Sequence, residues 1–432
     1  MLLNKRYLGA LVGNMMQFYD FTIYAFLTTE ISQTFFTFQN KFLSFFVVFS
    51  VFAGGYVTRP LGAILFGYLG DKNGRSNALS KTIIISAMAT FAIGLVPSYQ
   101  TIGSFAPITL IILRLIQGLA VSGEEGGAVV LLFERYSFKH RGVIGASVLS
   151  SVLIGVIMGI LVCSVISHFI ANHTLGSWAW RLPFILSLPL GVVAIFLRFY
   201  LNDFKLFLVA EKNNVLVQQP TKTLFREHYW TLLYGFFIVA IYSIATSVLI
   251  VHMPYYLNMH LNVSHVASLN MVATTILFIA GITPFIGKYC DRFTAEGIYN
   301  FGALGIMIMS PLLFYALSTN DLYFIMLIIL IFSGLTACIS SAIFSILVSL
   351  FPFGVRYSGV SLTFNLGVTV FSSSTPLVLM AVENYFTSSF SPGIYISLVS
   401  MVALIIGHFL RKKLTVVRFD ESNEESMIYQ VG

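Results

Sequence analysis

Long apolar runs alternate with short polar breaks along the whole chain. Each run holds about 20 largely apolar residues, the length a helix needs to cross the hydrocarbon of a bilayer. Twelve can be counted, predicting spanning helices over Tyr7–Thr29, Phe42–Leu69, Thr82–Val96, Pro107–Phe133, Val143–Ile170, Leu182–Tyr200, Tyr229–Leu257, Ala267–Ile286, Tyr299–Leu317, Tyr323–Leu350, Gly359–Val382 and Gly393–Leu410. The longest charged and poorly apolar break is Leu201–His228, with Lys212-Asn213-Asn214 and Gln218-Gln219-Pro220. The expected organisation is a six-helix bundle over 1–200, a linker over 201–228, a second six-helix bundle over 229–411, and a polar, solvated tail over 412–432 with Asp420, Glu421, Glu424 and Glu425.

Composition turns that pattern into an all-α, polytopic membrane protein. The 432 residues are 57% hydrophobic and 9% charged, with a mean hydropathy of +0.88, where a soluble domain carries about 25% charged residues. No small-residue cleavage site follows the first run, so it is expected to stay as a helix. Cys163, Cys290 and Cys338 have neither paired nor metal-like spacing and read as packing residues. A formal charge of +7 could suggest a nucleic-acid partner, but the placement of the charges excludes it. Lys and Arg gather in alternate breaks (Lys5 and Arg6; Lys72, Arg75 and Lys81; Arg135, Lys139 and Arg141; Lys205, Lys212, Lys222 and Arg226; Lys288 and Arg292; Arg356; Arg411, Lys412 and Lys413), while the intervening breaks hold little more than Lys41. Basic residues concentrate on the cytoplasmic side of membrane proteins, which places both termini in the cytoplasm.

One polar break has internal structure. Gly67-Tyr68-Leu69-Gly70-Asp71-Lys72-Asn73-Gly74-Arg75 reads as a short turn between two spans, and Gly67-x-x-x-Asp71-Lys72 recurs as Gly287-x-x-x-Asp291-Arg292. In the second copy Phe293 and Thr294 replace the closing Gly-Arg, and Arg141-Gly142 is echoed by Arg356-Tyr357-Ser358-Gly359. Asp71 is expected to accept from backbone amides at a facing helix N-terminus and Arg75 to pair with Glu134. Gly67, Asp71, Arg75, Glu134, Arg141, Asp291 and Arg292 then make a gating latch.

Ionisable residues inside the spans are few, and each costs about 2.5–3.5 kcal/mol at a helix centre, which marks it as a functional candidate. They are Asp20, Arg59, Arg114, Glu124 and Glu125. In the first span Asn14, Gln17, Asp20 (or Phe21) and Tyr24 share one helical face. A desolvated Asp20 can load and unload a proton; the alternative is a salt bridge to Arg59 or Arg114 that fixes packing. In the fourth span Arg114, Gln117 and Glu125 share a face, with Glu124 about 80° round from it. Arg114 suits a substrate carboxylate, whereas Gly118, Gly123, Gly126 and Gly127 suit close helix packing. Pro60 is expected to bend the second span. Weaker candidates for a cavity lining are Tyr242, Tyr255 and Tyr256, and Asn365 with Ser372 to Thr375; His252 reads as structural before it reads as a proton relay. Phosphate-binding glycine loops, zinc-ligand clusters and a nucleophile with its base are missing from the sequence, so no enzymatic role and no cofactor is expected.

The loop pattern Gly-x-x-x-Asp-[Lys/Arg]-x-Gly-[Lys/Arg] resembles the loop between helices 2 and 3 of the major facilitator superfamily. A wider set of motifs is similar to its metabolite:proton symporter family, which includes proline/betaine, 2-oxoglutarate, citrate and shikimate transporters. These motifs are Gly13-Asn14 with Tyr19-Asp20-Phe21, Arg59-Pro60-Leu61-Gly62-Ala63, Arg114-x-x-Gln117-Gly118 with Gly123-Glu124, Trp180-Arg181-Leu182-Pro183-Phe184, and Arg356-Tyr357-Ser358-Gly359 with Asn365. The resemblance implies a major facilitator fold of two pseudo-symmetric six-helix bundles, with substrate near the midplane. It further implies proton-driven symport of a proline- or betaine-like zwitterion, or of an organic acid. Asn14, Gln17, Tyr24, Arg114, Gln117, Tyr242 and Asn365 are then the substrate-binding set. Gln17 stands where family members usually carry an acid, and Ser122 where they carry a glycine, so proton coupling shifts to Asp20, Glu124 and Glu125. A monomer in a bacterial inner membrane, driven by a proton gradient alone, is expected. An uncoupled facilitator or exporter of the same fold is the alternative; a non-transporting sensor is a third, which the short termini disfavour.

Overall fold

The protein is seen in a computed structural model that describes residues 5–36, 51, 54–136, 140–198, 207, 217–261, 263, 265–319, 321–386 and 388–414. The first part of the second predicted span, Lys41, Lys139, Lys205, Lys212 and the acidic residues of the tail lie outside the described residues. Helices account for nearly all of the described chain, and no strand occurs among the described residues. In order they are α1 (Lys5–Phe26), followed by a short helix Thr28–Phe35; α2 (Arg59–Asn73); α3 (Arg75–Leu95); α4 (Phe105–Arg135); α5 (Arg141–Ala171) and α6 (Leu182–Arg198). A short helix at Pro220–Glu227 precedes α7, which runs over Tyr229–Ser247, widens into a π-helical turn at Val248–His252 and continues over Met253–His260. Then come α8 (His265–Arg292), α9 (Ala295–Ser318), α10 (Leu322–Leu350), α11 (Arg356–Gly367, a π-helical turn at Val368–Ser372, then Ser373–Tyr385) and α12 (Ser391–Leu414). Among the described residues ten helices are long and apolar enough to cross a membrane. α1 falls short of that hydropathy because of its polar stripe.

The helices extend beyond the predicted spans where the sequence is polar. α3 begins at Arg75 instead of Thr82, and α8 continues to Arg292 instead of ending at Ile286. The break at Gly67–Arg75 is therefore not a turn of several residues: helix persists through Asn73, and the connection is Gly74 alone, with φ 96°. That left-handed conformation is open to glycine without strain. The polar side chains stay helical because they satisfy the helix end. Arg75 Nη1 donates to the Gly70 carbonyl at 3.2 Å, and its Nη2 lies 3.5 Å from Asp71 Oδ1. One of the carbonyls a helix C-terminus leaves without an intrahelical partner is thus occupied. Pro60 sits in the first turn of α2, where its missing N–H leaves the ladder intact.

The chain forms two compact units, one of Met1–Ala128 with Ser151–Asn202, the other of Val129–Ser150 with Asp203–Gly432. The first is packed around Tyr19, Ile23, Tyr24, Ile93, Trp180 and Phe184. Tyr19 donates to the Pro183 carbonyl at 2.8 Å, and Arg181 Nη1 closes the end of α3 by donating to Val96 O at 2.6 Å. Gly118 brings α4 so close to the segment leading into α2 that a Cβ there would stand 2.0 Å from the Gly55 carbonyl.

In the second unit the repeated motif has a visible purpose. A Cβ on Gly142 would lie 2.3 Å from Gly287 O, so glycine at both positions lets the start of α5 rest on α8. One turn on, Asp291 Oδ1 accepts from Gly142 N at 2.5 Å and Oδ2 from Val143 N at 3.1 Å, a carboxylate on a helix N-terminus. Thr294, in the degraded part of the copy, caps α9 by accepting from Gly297 N. Glu134, expected opposite Arg75, has Arg356 Nη1 at 3.7 Å as an ion partner.

Candidate functional site

The polar stripe of α1 points into the first unit. Asn14 is fully buried and Gln17 1% exposed; Asn14 Nδ2 donates to Ser151 Oγ of α5 at 2.9 Å, and Gln17 Nε2 to the Thr82 carbonyl of α3 at 3.1 Å. Asp20 is 4% exposed. Its Oδ2 accepts from Ser86 Oγ at 3.4 Å, and the hydroxyls of Thr90 and Ser187 stand beside it. The salt bridge to Arg59 or Arg114 considered for this residue does not occur: among the described residues the polar contacts of its carboxylate are hydroxyls and no cation is paired with it.

Arg114 of α4 is fully buried. Its guanidinium lies over the rings of Tyr24 and Phe21, at 4.3 and 4.8 Å from the centroids, a favourable cation–π arrangement. Nη1 donates to Gln117 Oε1 at 2.6 Å and to the Phe21 carbonyl at 3.3 Å. Gln117 Nε2 donates in turn to Thr90 Oγ1 at 2.5 Å and to the Asp20 carbonyl at 3.3 Å. A continuous chain of hydrogen bonds thus joins Arg114, through Gln117 and Thr90, to the surroundings of Asp20.

The two glutamates are ion-paired. Arg59 Nη2 donates to Glu125 Oε2 at 3.3 Å, and the Arg59 guanidinium also lies over Tyr56 and Phe21. Glu124 pairs with Arg198 Nη2 at the end of α6 and accepts from Thr82 Oγ1 at 2.9 Å. Gly13 makes the Arg198 contact possible, since a Cβ there would stand 2.5 Å from Nη2. Arg198, Thr82, Ser86, Thr90 and Ser187 are not among the sequence candidates. The signal for Arg198 is arithmetic: two adjacent buried glutamates need two cations, and Arg114 is turned toward Gln117.

Of the remaining candidates, Tyr242 and Asn365 belong to the second unit. Tyr242 of α7 lies 5.7 Å, between ring centroids, from Phe364 of α11, and Asn365 Nδ2 donates to the Ser361 carbonyl at 2.8 Å. Among the latch residues, Gly67, Asp71 and Arg75 lie in the first unit; Glu134, Arg141, Asp291 and Arg292 lie in the second. Arg141 lies over the Phe133 ring, and Arg292 is exposed.

Residues 10–376 match the model of the Major Facilitator Superfamily. The proline/betaine transporter of Escherichia coli K12 is 30% identical over 414 residues, 94% of this chain and 83% of that protein. The glycine betaine/proline/ectoine/pipecolic acid transporter OusA of Dickeya dadantii is 30% identical over 420 residues, 95% of this chain and 83% of that protein. Among solved structures, the proton:xylose symporter XylE superposes with a TM-score of 0.74 at 16% identity, covering 94% of this chain and 95% of that one. The human organic anion transporter MFSD10 superposes with a TM-score of 0.67 at 14% identity, over 93% of this chain and 99% of that one. At these identities the superpositions speak for the fold.

Proposed function

The chain belongs to the Major Facilitator Superfamily, and from that premise we propose that it is a proton-coupled symporter of a small zwitterion of the proline or betaine kind. Membership makes it a multi-pass membrane transporter of small molecules with the twelve-helix fold, not an enzyme. The zwitterion is supported by the relatives' names, which include proline and betaine transporters, and by Arg114, whose planar fork matches a carboxylate.

The observation that carries proton coupling is the contrast between Asp20 and the glutamates. Protonating Glu124 or Glu125 would leave a buried guanidinium uncompensated, at high cost. Asp20 faces hydroxyls, which can turn to donate to the carboxylate or accept from the acid. It is therefore the carboxyl that takes up and releases a proton without breaking an ion pair. The chain Asp20–Thr90–Gln117–Arg114 then passes its protonation to the substrate-binding cation. In this reading Asn14, Gln17 and Tyr24 shape the first unit's share of the site from α1, and Glu124 and Glu125 hold α4 in place; Tyr242 of α7 and Asn365 of α11 are proposed substrate contacts of the second unit. The proton gradient is the driving force, no cofactor is needed, and the working form is a monomer operating by alternating access in a bacterial inner membrane.

Reconstituted vesicles with an imposed pH gradient test this. Wild-type protein accumulates proline or betaine when the outside is acidic, whereas Asp20→Asn loses accumulation but retains exchange of labelled for unlabelled substrate. Accumulation by Asp20→Asn equal to that of wild type removes the proton role from this residue. Failure of proline, betaines and carboxylates alike to be transported rejects the substrate class.

A further inference from the structure

The two helices of the second unit that carry π-helical turns also carry a part-buried histidine–carboxylate pair that the transport reading leaves without a task. His252 closes the π-helical turn of α7 and is 1% exposed. Its Nε2 stands 2.9 Å from Oε1 of Glu383, near the end of α11; the Glu383 side chain is 11% exposed.

Proline explains why both helices open here. Pro254 has no N–H to give the Ile250 carbonyl, and Pro376 has none for the Ser372 carbonyl. In the second case Ser247 Oγ of α7 supplies the missing donor at 2.8 Å. α7 and α11 are thus tied at their π-helical turns by one hydrogen bond, and tied again by His252 and Glu383. Helices with such interruptions bend there more readily than regular ones.

Among the described residues, the titratable groups facing the imidazole are Glu383 of α11 and Tyr255 and Tyr256 of its own helix, with ring centroids at 6.1 and 6.3 Å. α9 brings Phe314, at 5.7 Å, which carries no charge. Nδ1 of His252 is buried and has no hydrogen-bond partner among the described residues. A neutral ring that donates Nε2–H to Glu383 keeps its lone pair on Nδ1, and an added proton goes there. The product is an imidazolium–carboxylate pair, with a charge-assisted hydrogen bond stronger than the one it replaces.

We infer that His252 and Glu383 form a second proton-binding site, which fastens α7 to α11 near their C-terminal ends when filled and loosens them when empty. It rests on a membrane-transporter reading, but not on Asp20 or on the identity of the substrate. Spin labels at Val251→Cys and Tyr385→Cys, positions 50% and 86% exposed, report the separation in full-length protein in lipid nanodiscs, with Cys163, Cys290 and Cys338 replaced by alanine. The distance distribution is expected to be narrow at pH 5 and at least twice as wide at pH 8. The change is expected to vanish in Glu383→Gln and in His252→Gln, and to persist in Asp20→Asn. Equal distributions at the two pH values, or a widening that survives in either dyad variant, overturn the proposal. The parent protein and Glu383→Gln decide the matter even if His252→Gln does not fold.

Discussion

Asp20, Glu124 and Glu125 are all carboxylates buried in the first unit, and what stands opposite each sets what it can do. Glu124 faces the Arg198 guanidinium and the Thr82 hydroxyl, both inside the fold. Removing one partner from such a pair leaves the other charge buried without compensation and costs about 3–5 kcal/mol. Glu124→Gln is therefore expected to lower the unfolding free energy of the purified protein by about that amount, read from denaturant or thermal melts in detergent. Gly13→Ala pushes a methyl group into the Arg198 guanidinium and should destabilise through the same pair. Because both changes break one interaction, the double variant is expected to lose less than the sum of the two; strict additivity would mean that Gly13 serves some other purpose. Asp20→Asn, with only hydroxyl partners to satisfy, should leave the melting curve close to that of the parent.

At the scale of the element, regularity is concentrated where the chain needs rigidity and is relaxed in α7 and α11. Ser247 fills the carbonyl that Pro376 leaves open, so Ser247→Ala should leave a part-buried acceptor without this donor, at a cost of about 1 kcal/mol. A melt of that variant matching the parent's would mean that the acceptor finds water. The positions of the twelve helices are legible in the sequence, because an apolar run of spanning length has few other solutions. Their ends are not. Polar residues such as Asp71 and Arg75 read as a turn, yet they remain helical because each satisfies a neighbour's backbone or charge one turn away. The site is legible in part. Asp20, Arg114 and Gln117 stand out as polar residues in apolar runs, whereas Thr82, Ser86, Thr90 and Ser187 do not, since a hydroxyl in a membrane helix is ordinary and usually returns to its own backbone. Arg198 escapes notice because it lies at the end of a span, where a basic residue is unremarkable, and its partner is 74 positions away. Glu383 escapes for the same reason: nothing near it in sequence identifies His252 as its partner.

Across the whole molecule, charge placement carries a topology. Arg411, Lys412 and Lys413 crowd the end of α12, and from the asymmetry of Lys and Arg between alternate breaks we propose that this end faces the cytoplasm. A fluorescent protein fused after Gly432 is expected to fluoresce, and alkaline phosphatase at the same site to be inactive; the reverse pair of results inverts the orientation. The single-residue connection at Gly74 has a mechanical corollary. With no slack between them, α2 and α3 are coupled through the φ and ψ of one residue, so a tilt of α2 is expected to reach Ser86 and Thr90, the α3 hydroxyls beside Asp20. Two or three glycine–serine residues inserted after Gly74 would act as a clutch. Substrate affinity should hold within about twofold while the rate of proton-driven uptake falls tenfold or more, and an insertion that slows nothing would show that the two helices move independently.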